Sequence, residues 1–416
     1  MRAGRLAALA VLCLAVAIGG VSCGGSDDDE GAAGTTAAAT TGGSGKADGE
    51  PIVIGAAIDK TNFMSFFNLP ALTAAKIEAE KINAEGGVDG RPIVFKEQDT
   101  NLDPAKTKAA ALDLLDQGAD IIWVTCDVDY ATPAVQEAIN RGVLAVAPCI
   151  GTDQMGPKRF GEKGNLAFSF GNVAQDEGAA LAQMAHDKGF KTGVVVKDKV
   201  LYYTKSVCDS FTSKFKELGG SVVKEITFTQ GDKTINSVVS DVNKTKSDAI
   251  AICTVTQQDL PAFVSGLRSV GNDTPIISPW SADGTFWLPK SPKVSNFYVV
   301  TFASVYGDDP NQNVQELIDE MTAKGPKSAP TTGGFITGAS AVDALAHSIE
   351  EAGSTDGEKV AAELQSLSDF DTSMGAISFS SKFHTVFGRS YRVIQITNGK
   401  AKYIDDVEAG TPADVG

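Results

Sequence analysis

The chain has 416 residues, 43% of them hydrophobic and 21% charged, with a formal net charge of −16. That balance disfavours nucleic-acid binding, which needs a basic face to meet phosphates. An acidic chain with this apolar share and 43 glycines is ordinary for an exported globular protein.

Residues 1–22 read as an export signal. Arg2 and Arg5 give the positive start, residues 6–18 the apolar core, and Gly19-Gly20-Val21-Ser22 a small-residue cleavage region. The core is short for a membrane span. Cys23 resembles the lipidated cysteine of bacterial lipoproteins, with Gly20 where such sequences usually carry leucine; a cleaved signal with an incidental cysteine is the other reading. Loss of Arg2 and Arg5 takes the net charge to −18. Residues 23–50 are Gly, Ala, Thr, Ser and acidic text that cannot bury enough apolar surface to fold. They read as a tether with a root-mean-square reach of roughly 25–30 Å.

From residue 51 the pattern changes. Residues 52–58 read as an apolar strand, 59–68 as a polar and aromatic loop, and 69–83 as a helix with Leu72, Ala75 and Ile82 near helical spacing. Glycines 86, 87 and 90 turn the chain. A strand at 92–96, a helix at 104–117 and a strand at 119–124 follow. Further helices are expected at 133–140, 177–188, 205–218, 235–244, 258–270, 313–324 and 338–352. Strands are expected between them at 143–149, 192–196, 221–228, 249–253, 274–278 and 298–302, with a last one at 391–396. Apolar strands alternating with amphipathic helices mean parallel sheets covered on both faces. Ligands in such sheets sit past the C-terminal strand ends, here the loops at 61–67 and 126–130.

Beyond Cys23 the cysteines are Cys126, Cys149, Cys208 and Cys253. In an exported chain they suggest two disulfides, with three pairings open, or else four buried thiols. If the strands ending at Cys126 and Cys149 are neighbours, those two lie within bridging distance and Cys208 and Cys253 remain. No C-x-x-C spacing, nucleophile elbow, phosphate loop or H-E-x-x-H occurs. No catalytic residue, metal or cofactor is therefore expected, and no enzyme. His186, His347 and His384 are scattered and read as surface or core side chains.

Two motifs carry a family resemblance. Ile82-Asn83-Ala84-Glu85-Gly86-Gly87-Val88-Asp89-Gly90-Arg91 and Asp99-Thr100-Asn101-Leu102-Asp103-Pro104 resemble segments of the solute-binding proteins that serve branched-chain amino acid transporters. The resemblance implies the type I periplasmic binding fold: two Rossmann-like α/β lobes with parallel-rich sheets joined by a three-strand hinge. The expected division places residues 51–171 and 302–373 in the N-terminal lobe, and residues 172–301 and 374–416 in the C-terminal lobe.

A cleft between such lobes would be lined from the first by Asn62, Phe63, Met64, Ser65, Phe66 and Phe67, by Asp127, Val128, Asp129 and Tyr130, and by Cys149, Ile150, Gly151 and Thr152. The second would add Tyr202, Tyr203, Thr256, Gln257, Trp280 and Asp283. Aromatics with a few polar groups are what small-molecule pockets use. The Phe residues also fit a cap packed under the next helix, and Asp127 or Asp129 a helix cap. Tyr202 stands where the family commonly has tyrosine. Three departures point away from an α-amino acid: Ala147-Pro148-Cys149-Ile150-Gly151-Thr152 is longer and poorer in hydroxyls than the family's carboxylate loop, Trp280 replaces an acid, and Asp127-Val128 replaces a serine pair. Asp127, Asp129 and Trp280 instead suit a cationic or aromatic ligand. The expected function is a monomeric, lipid-anchored, extracytoplasmic receptor at the cell membrane. It would pass a small polar molecule (amino acid, amide, urea or amine) to the permease of an ATP-driven importer. A ligand-sensing receptor domain is the alternative.

Overall fold

A computed structural model describes residues 47–255, 259–325 and 328–413. The export signal, Cys23, most of the tether, Thr256 and Gln257 lie outside the described residues. In chain order the first part runs β1 (Ile52–Ile58), α1 (Ser65–Ala84), β2 (Ile93–Asp99), α2 (Pro104–Asp116), β3 (Ile121–Val124), α3 (Val128–Asn140), β4 (Leu144–Ala147), α4 (Pro157–Phe160) and β5 (Ala167–Asn172). Next come α5 (Ala174–Asp187), β6 (Thr192–Asp198), α6 (Tyr202–Glu217), β7 (Ser221–Phe228), α7 (Ile235–Asn243), β8 (Ala249–Cys253), α8 (Asp259–Ser269), β9 (Ile276–Ser278) and β10 (Phe297–Thr301). The rest is α9 (Gln312–Ala323), α10 (Ile336–Ala352), α11 (Gly357–Ser366), β11 (Phe370–Thr372), β12 (Gly375–Ile377), β13 (Thr385–Val386), β14 (Tyr391–Thr397) and β15 (Lys400–Val407).

The strands form one sheet per lobe. The first has the order β13-β5-β4-β3-β1-β2 with every pair parallel. The second has the order β15-β14-β10-β9-β8-β6-β7, parallel except where β14 joins β10 and β15. Continuous apolar text such as Ile121-Ile122-Trp123-Val124 is buried on both faces, as helices on both sides of a parallel sheet require. The turn between α1 and β2 needs glycine at 87. Its φ is +71°, and a Cβ there would meet Arg91 O at 2.3 Å.

Two helices begin earlier than their prolines suggest. Pro70 and Pro133 read as first-turn residues, yet both lie inside helices. Upstream carboxylates are the reason. Asp59 Oδ1 accepts from Asn62 N–H and Oδ2 from Ser65 N–H, at 2.8 and 3.1 Å. Asp127 Oδ1 accepts from Asp129 and Tyr130 N–H, at 3.0 and 3.3 Å. Each supplies the acceptor that a helix N-terminus lacks.

The chain passes between the lobes three times, at 172–174, after Thr301 and at 387–390. The first and third passages lie side by side, with Val173 N–H donating to Val386 O at 2.7 Å. The third passage falls later than the expected division at 373/374. β13 extends the first sheet, and Phe379 packs edge-on against Phe168 and Phe170 in the first-lobe core, at 5.4 and 5.3 Å between ring centres. Residues 374–386 thus stay with the first lobe.

Both disulfides are present. Cys126–Cys149 joins the ends of the neighbouring strands β3 and β4, and Cys208–Cys253 joins α6 to β8, with Cα atoms 4.8 and 5.8 Å apart. Intact mass after alkylation should show these four thiols only once the protein has been reduced. The first lobe also depends on a close helix crossing. A Cβ on Gly338 of α10 would sit 1.8 Å from Ala71 O of α1. Gly338→Ala should cost about 1–3 kcal/mol, read as a lower urea midpoint; an unchanged midpoint would mean the helices separate freely there.

Candidate ligand-binding cleft

The C-terminal ends of both sheets face one cleft. Its first-lobe wall is built by Met64 and Phe67 at the start of α1, Cys126, Asp127 and Val128 after β3, and Cys149, Ile150, Gly151 and Thr152 after β4. The second-lobe wall is Leu201 and Tyr203 at the start of α6, Val255 after β8, and Trp280 and Ser281 after β9. One hydrophobic cluster runs through both walls, from Met64 and Phe67 to Tyr203, Trp280, Phe302 and Tyr391. The space between the walls is about 30 Å³, room for about two waters. A larger solute needs the two walls further apart than this.

The first wall hangs on Asn68, which is fully buried. Its Nδ2 donates to Asp59 O at 2.9 Å and to Thr125 Oγ1 at 2.6 Å, while Oδ1 accepts from Cys126 N–H at 2.8 Å. The loop after β1 is thereby tied to the loop after β3. On the second wall, Glu177 of α5 is the tie. Its Oε1 accepts from Trp280 N–H and its Oε2 from Tyr203 O–H, each at 2.8 Å.

Among the described lining residues there is no Lys, Arg or His, and Asp127 is the only carboxylate. Burial pushes the Asp127 carboxyl up to about 6, the nearby Asp129 adds to the rise, and the amides of Tyr130 and Asp129 and Arg159 oppose it. Two polar atoms of the lining are buried without a partner: Thr152 Oγ1 on the first lobe and Trp280 Nε1 on the second. Buried polar groups are ordinarily hydrogen-bonded.

Of the expected site residues, Met64, Phe67, Asp127, Val128, Cys149, Ile150, Gly151, Thr152, Tyr203 and Trp280 come together on the cleft. Eight others, Phe63 among them, lie elsewhere. Asn62 and Ser65 give their amides to Asp59 in the turn before α1. Phe66 packs on Phe67 and on Phe286 of the second lobe, ring centres 5.2 and 4.6 Å apart. Asp129 pairs with Arg159 at 2.8 Å, and Tyr130 meets Phe63 edge-on. Tyr202 accepts from Gln154 Nε2 at 3.3 Å; one residue on, Tyr203 turns inward instead. Asp283 is buried at the second passage. Its Oδ2 accepts from Thr301 Oγ1 (2.9 Å) and Gly333 N–H (2.7 Å), and its Oδ1 from Gly284 N–H (2.7 Å) and Tyr306 O–H (3.1 Å). Cys126 lies in the loop at 126–130 expected from sequence, whereas Leu201, Val255, Ser281 and Glu177 were missed. An acid in the first turn of a helix, such as Glu177, signals only a favourable dipole.

A larger open groove of about 660 Å³ lies on the first lobe, lined by residues such as Asn140, Lys163 and Glu358. None of its lining residues has a buried unpartnered polar atom among the described residues. The described residues also hold no cluster of metal-binding side chains and no helix long and apolar enough to cross a membrane.

Two α/β lobes, linked by three passages and sharing one cleft, are the architecture of a two-lobed binding protein. The chain belongs to the periplasmic binding protein family, whose model matches residues 51–401. It is 23% identical to Leu/Ile/Val-binding protein homolog 1 of Brucella melitensis, over 82% of this chain and 88% of that one. It is 25% identical to the leucine-, isoleucine-, valine-, threonine- and alanine-binding protein of Pseudomonas aeruginosa, over 74% and 80%. Its fold matches the branched-chain amino acid transporter substrate-binding protein of Streptococcus pneumoniae in complex with isoleucine, with a TM-score of 0.71 at 20% identity over 85% of this chain and 99% of that one. A solute-binding protein of an R. palustris ABC transporter in complex with 4-hydroxybenzoate gives a TM-score of 0.71 at 17% identity, over 86% and 97%. These relatives are solute-binding proteins rather than enzymes.

Asp283 separates support from ligand contact. Asp283→Asn replaces one acceptor oxygen by a donor that faces other donors, and should lower stability by about 1–3 kcal/mol or more. The gain in melting temperature from a bound solute should be unchanged; loss of that gain would return Asp283 to the site.

Proposed function

We propose that this protein is the extracytoplasmic receptor of an ABC importer, held at the cell membrane by a lipid on Cys23, and acting as a monomer. It captures a small molecule between its lobes. The guest has a hydrogen-bonding or cationic head and an apolar body: an amino acid, amide, urea or amine. One observation carries this reading. Thr152 and Trp280 line the same cleft from opposite lobes, and each carries a buried polar atom without a partner, Oγ1 and Nε1. A guest with an acceptor between them stabilises the closed arrangement over the open one, which is all that lobe closure requires. The permease then distinguishes the two.

The other lining groups define the rest of the guest. Asp127, the only carboxylate among the described lining residues, is the group to meet an ammonium. Met64, Phe67, Leu201, Tyr203 and the Cys126–Cys149 disulfide surround it with apolar and aromatic surface, which suits an aliphatic or aromatic body. The curated relatives named for leucine, isoleucine and valine place apolar amino acids first in the panel to be screened.

Native mass spectrometry of freshly purified protein, then a thermal-shift screen of amino acids, amides, ureas and amines, tests the reading. A solute at about 100 times its Kd should add about 2.7 kcal/mol of stability. Trp280→Ala should abolish that shift; an unchanged shift removes Trp280 from the site. The Asp127 carboxyl, pushed up to about 6, pairs with an ammonium only when ionised. Affinity for an ammonium-bearing solute should therefore be level at higher pH and fall as pH drops through about 6. Asp127→Asn should bind it weakly at every pH, and a wild-type profile just as flat would leave Asp127 a helix cap and nothing more.

A further inference from the structure

We propose that Glu177 is a positioning residue for this cleft: from the helix that follows the first passage it holds Trp280 and Tyr203 in place, so that gain or loss of its proton resets the second-lobe wall. The inference rests on the cleft reading above, but its test uses no solute, so the two fail separately.

The geometry is that of a bridge with a hinge at one end. Trp280 follows β9 and Tyr203 opens α6, and the Glu177 carboxyl, at 2.8 Å from each, joins these two segments by hydrogen bonds. Their rings stand 6.3 Å apart at 62°. The Trp280 ring continues to Phe67 across the cleft (5.3 Å) and to Phe302 at the second passage (5.2 Å). The preceding residue, Asp176, accepts from Tyr391 O–H at 3.0 Å, just beyond the third passage. Consecutive acids on α5 thus address the hinge and the ligand wall.

No cation pairs with Glu177 among the described residues. The groups facing it are Asp176 on its own helix, Tyr203 from α6 and Tyr391 from β14. Arg389 in the third passage and Glu408 after β15 act on Asp176. Burial pushes the Glu177 carboxyl up to about 8, above its ordinary value of about 4.3. As the neutral acid it brings its own O–H: the Trp280 N–H can only donate, so the bond that can reverse is the one to the Tyr203 hydroxyl. As the carboxylate it accepts from both neighbours and carries a desolvated charge. The Tyr203 hydroxyl also meets Ser281, so a reversal there is passed to the residue that follows Trp280. Because the folded value is the raised one, its stabilising contribution is present at acid pH and lost as pH rises through about 8.

The test is fluorine NMR of the ligand-free chain grown with fluorotryptophan, which gives one resonance for each of the three tryptophans. The Trp280 signal is assigned by its loss in Trp280→Phe. It should titrate with a midpoint near pH 8 while Trp123 and Trp287 stay still. Glu177→Gln should remove that transition, and Asp176→Asn should keep it with a lower midpoint, because the Asp176 charge raises the Glu177 value. Tyr203→Phe, which takes a donor from the ionised form, should move the midpoint upward and serves if Glu177→Gln does not fold. A flat wild-type Trp280 signal, a transition that persists in Glu177→Gln, one that vanishes in Asp176→Asn, or an unmoved midpoint in Tyr203→Phe overturns the proposal.

Discussion

The buried amide of Asn68 is the contact on which the first-lobe wall depends. It is a helix residue, yet its hydrogen bonds run to two loops, with Asp59 O and Thr125 Oγ1 accepting and Cys126 N–H donating. In the interior each of these groups would be costly to leave unpaired. The amide therefore fixes where the β1 and β3 loops sit relative to each other, and with them Met64, Phe67 and Asp127. The cleft follows from sheet geometry only after this tie sets its shape.

The second wall is governed by the same economy of buried polar groups, applied at the passages between lobes. Asp283, Asp176 and Glu177 are all buried, and each takes hydrogen bonds from a different segment near a passage. Carboxylates accept several bonds at once, so a single side chain can hold two or three segments that share no secondary structure. Arg389, also buried, reaches Asn172 Oδ1 at 3.2 Å and so links the third passage to the first.

Much of the fold was legible because alternation of apolar strands and helices is written locally. Errors arose where a local signal had a distant competitor. Pro70 and Pro133 look like helix starts, but Asp59 and Asp127 supply acceptors further upstream and draw the helices back. The third passage moved because Phe379 finds two aromatic partners more than 200 residues earlier, a contact invisible to periodicity. On the site, Asp127 proved to be both a cap and a lining residue, so the two readings of it were not exclusive. Tyr202 and Tyr203 are adjacent and chemically identical; only the phase of α6 turns one toward Gln154 and the other toward Glu177.

The pairing of β13 with β5 joins Thr385 to Ser169, and the crossing at Gly338 joins α10 to Ala71. Both partners are separated by the entire middle of the chain. During synthesis from the N-terminus, the middle segment, whose strands β6 to β10 are near neighbours in sequence, can assemble while the opening segment still lacks an edge strand and a covering helix. Contacts of such long separation form slowly. The half of the molecule that is made first is thus completed late, and the β5 edge stays unpaired until β13 is available.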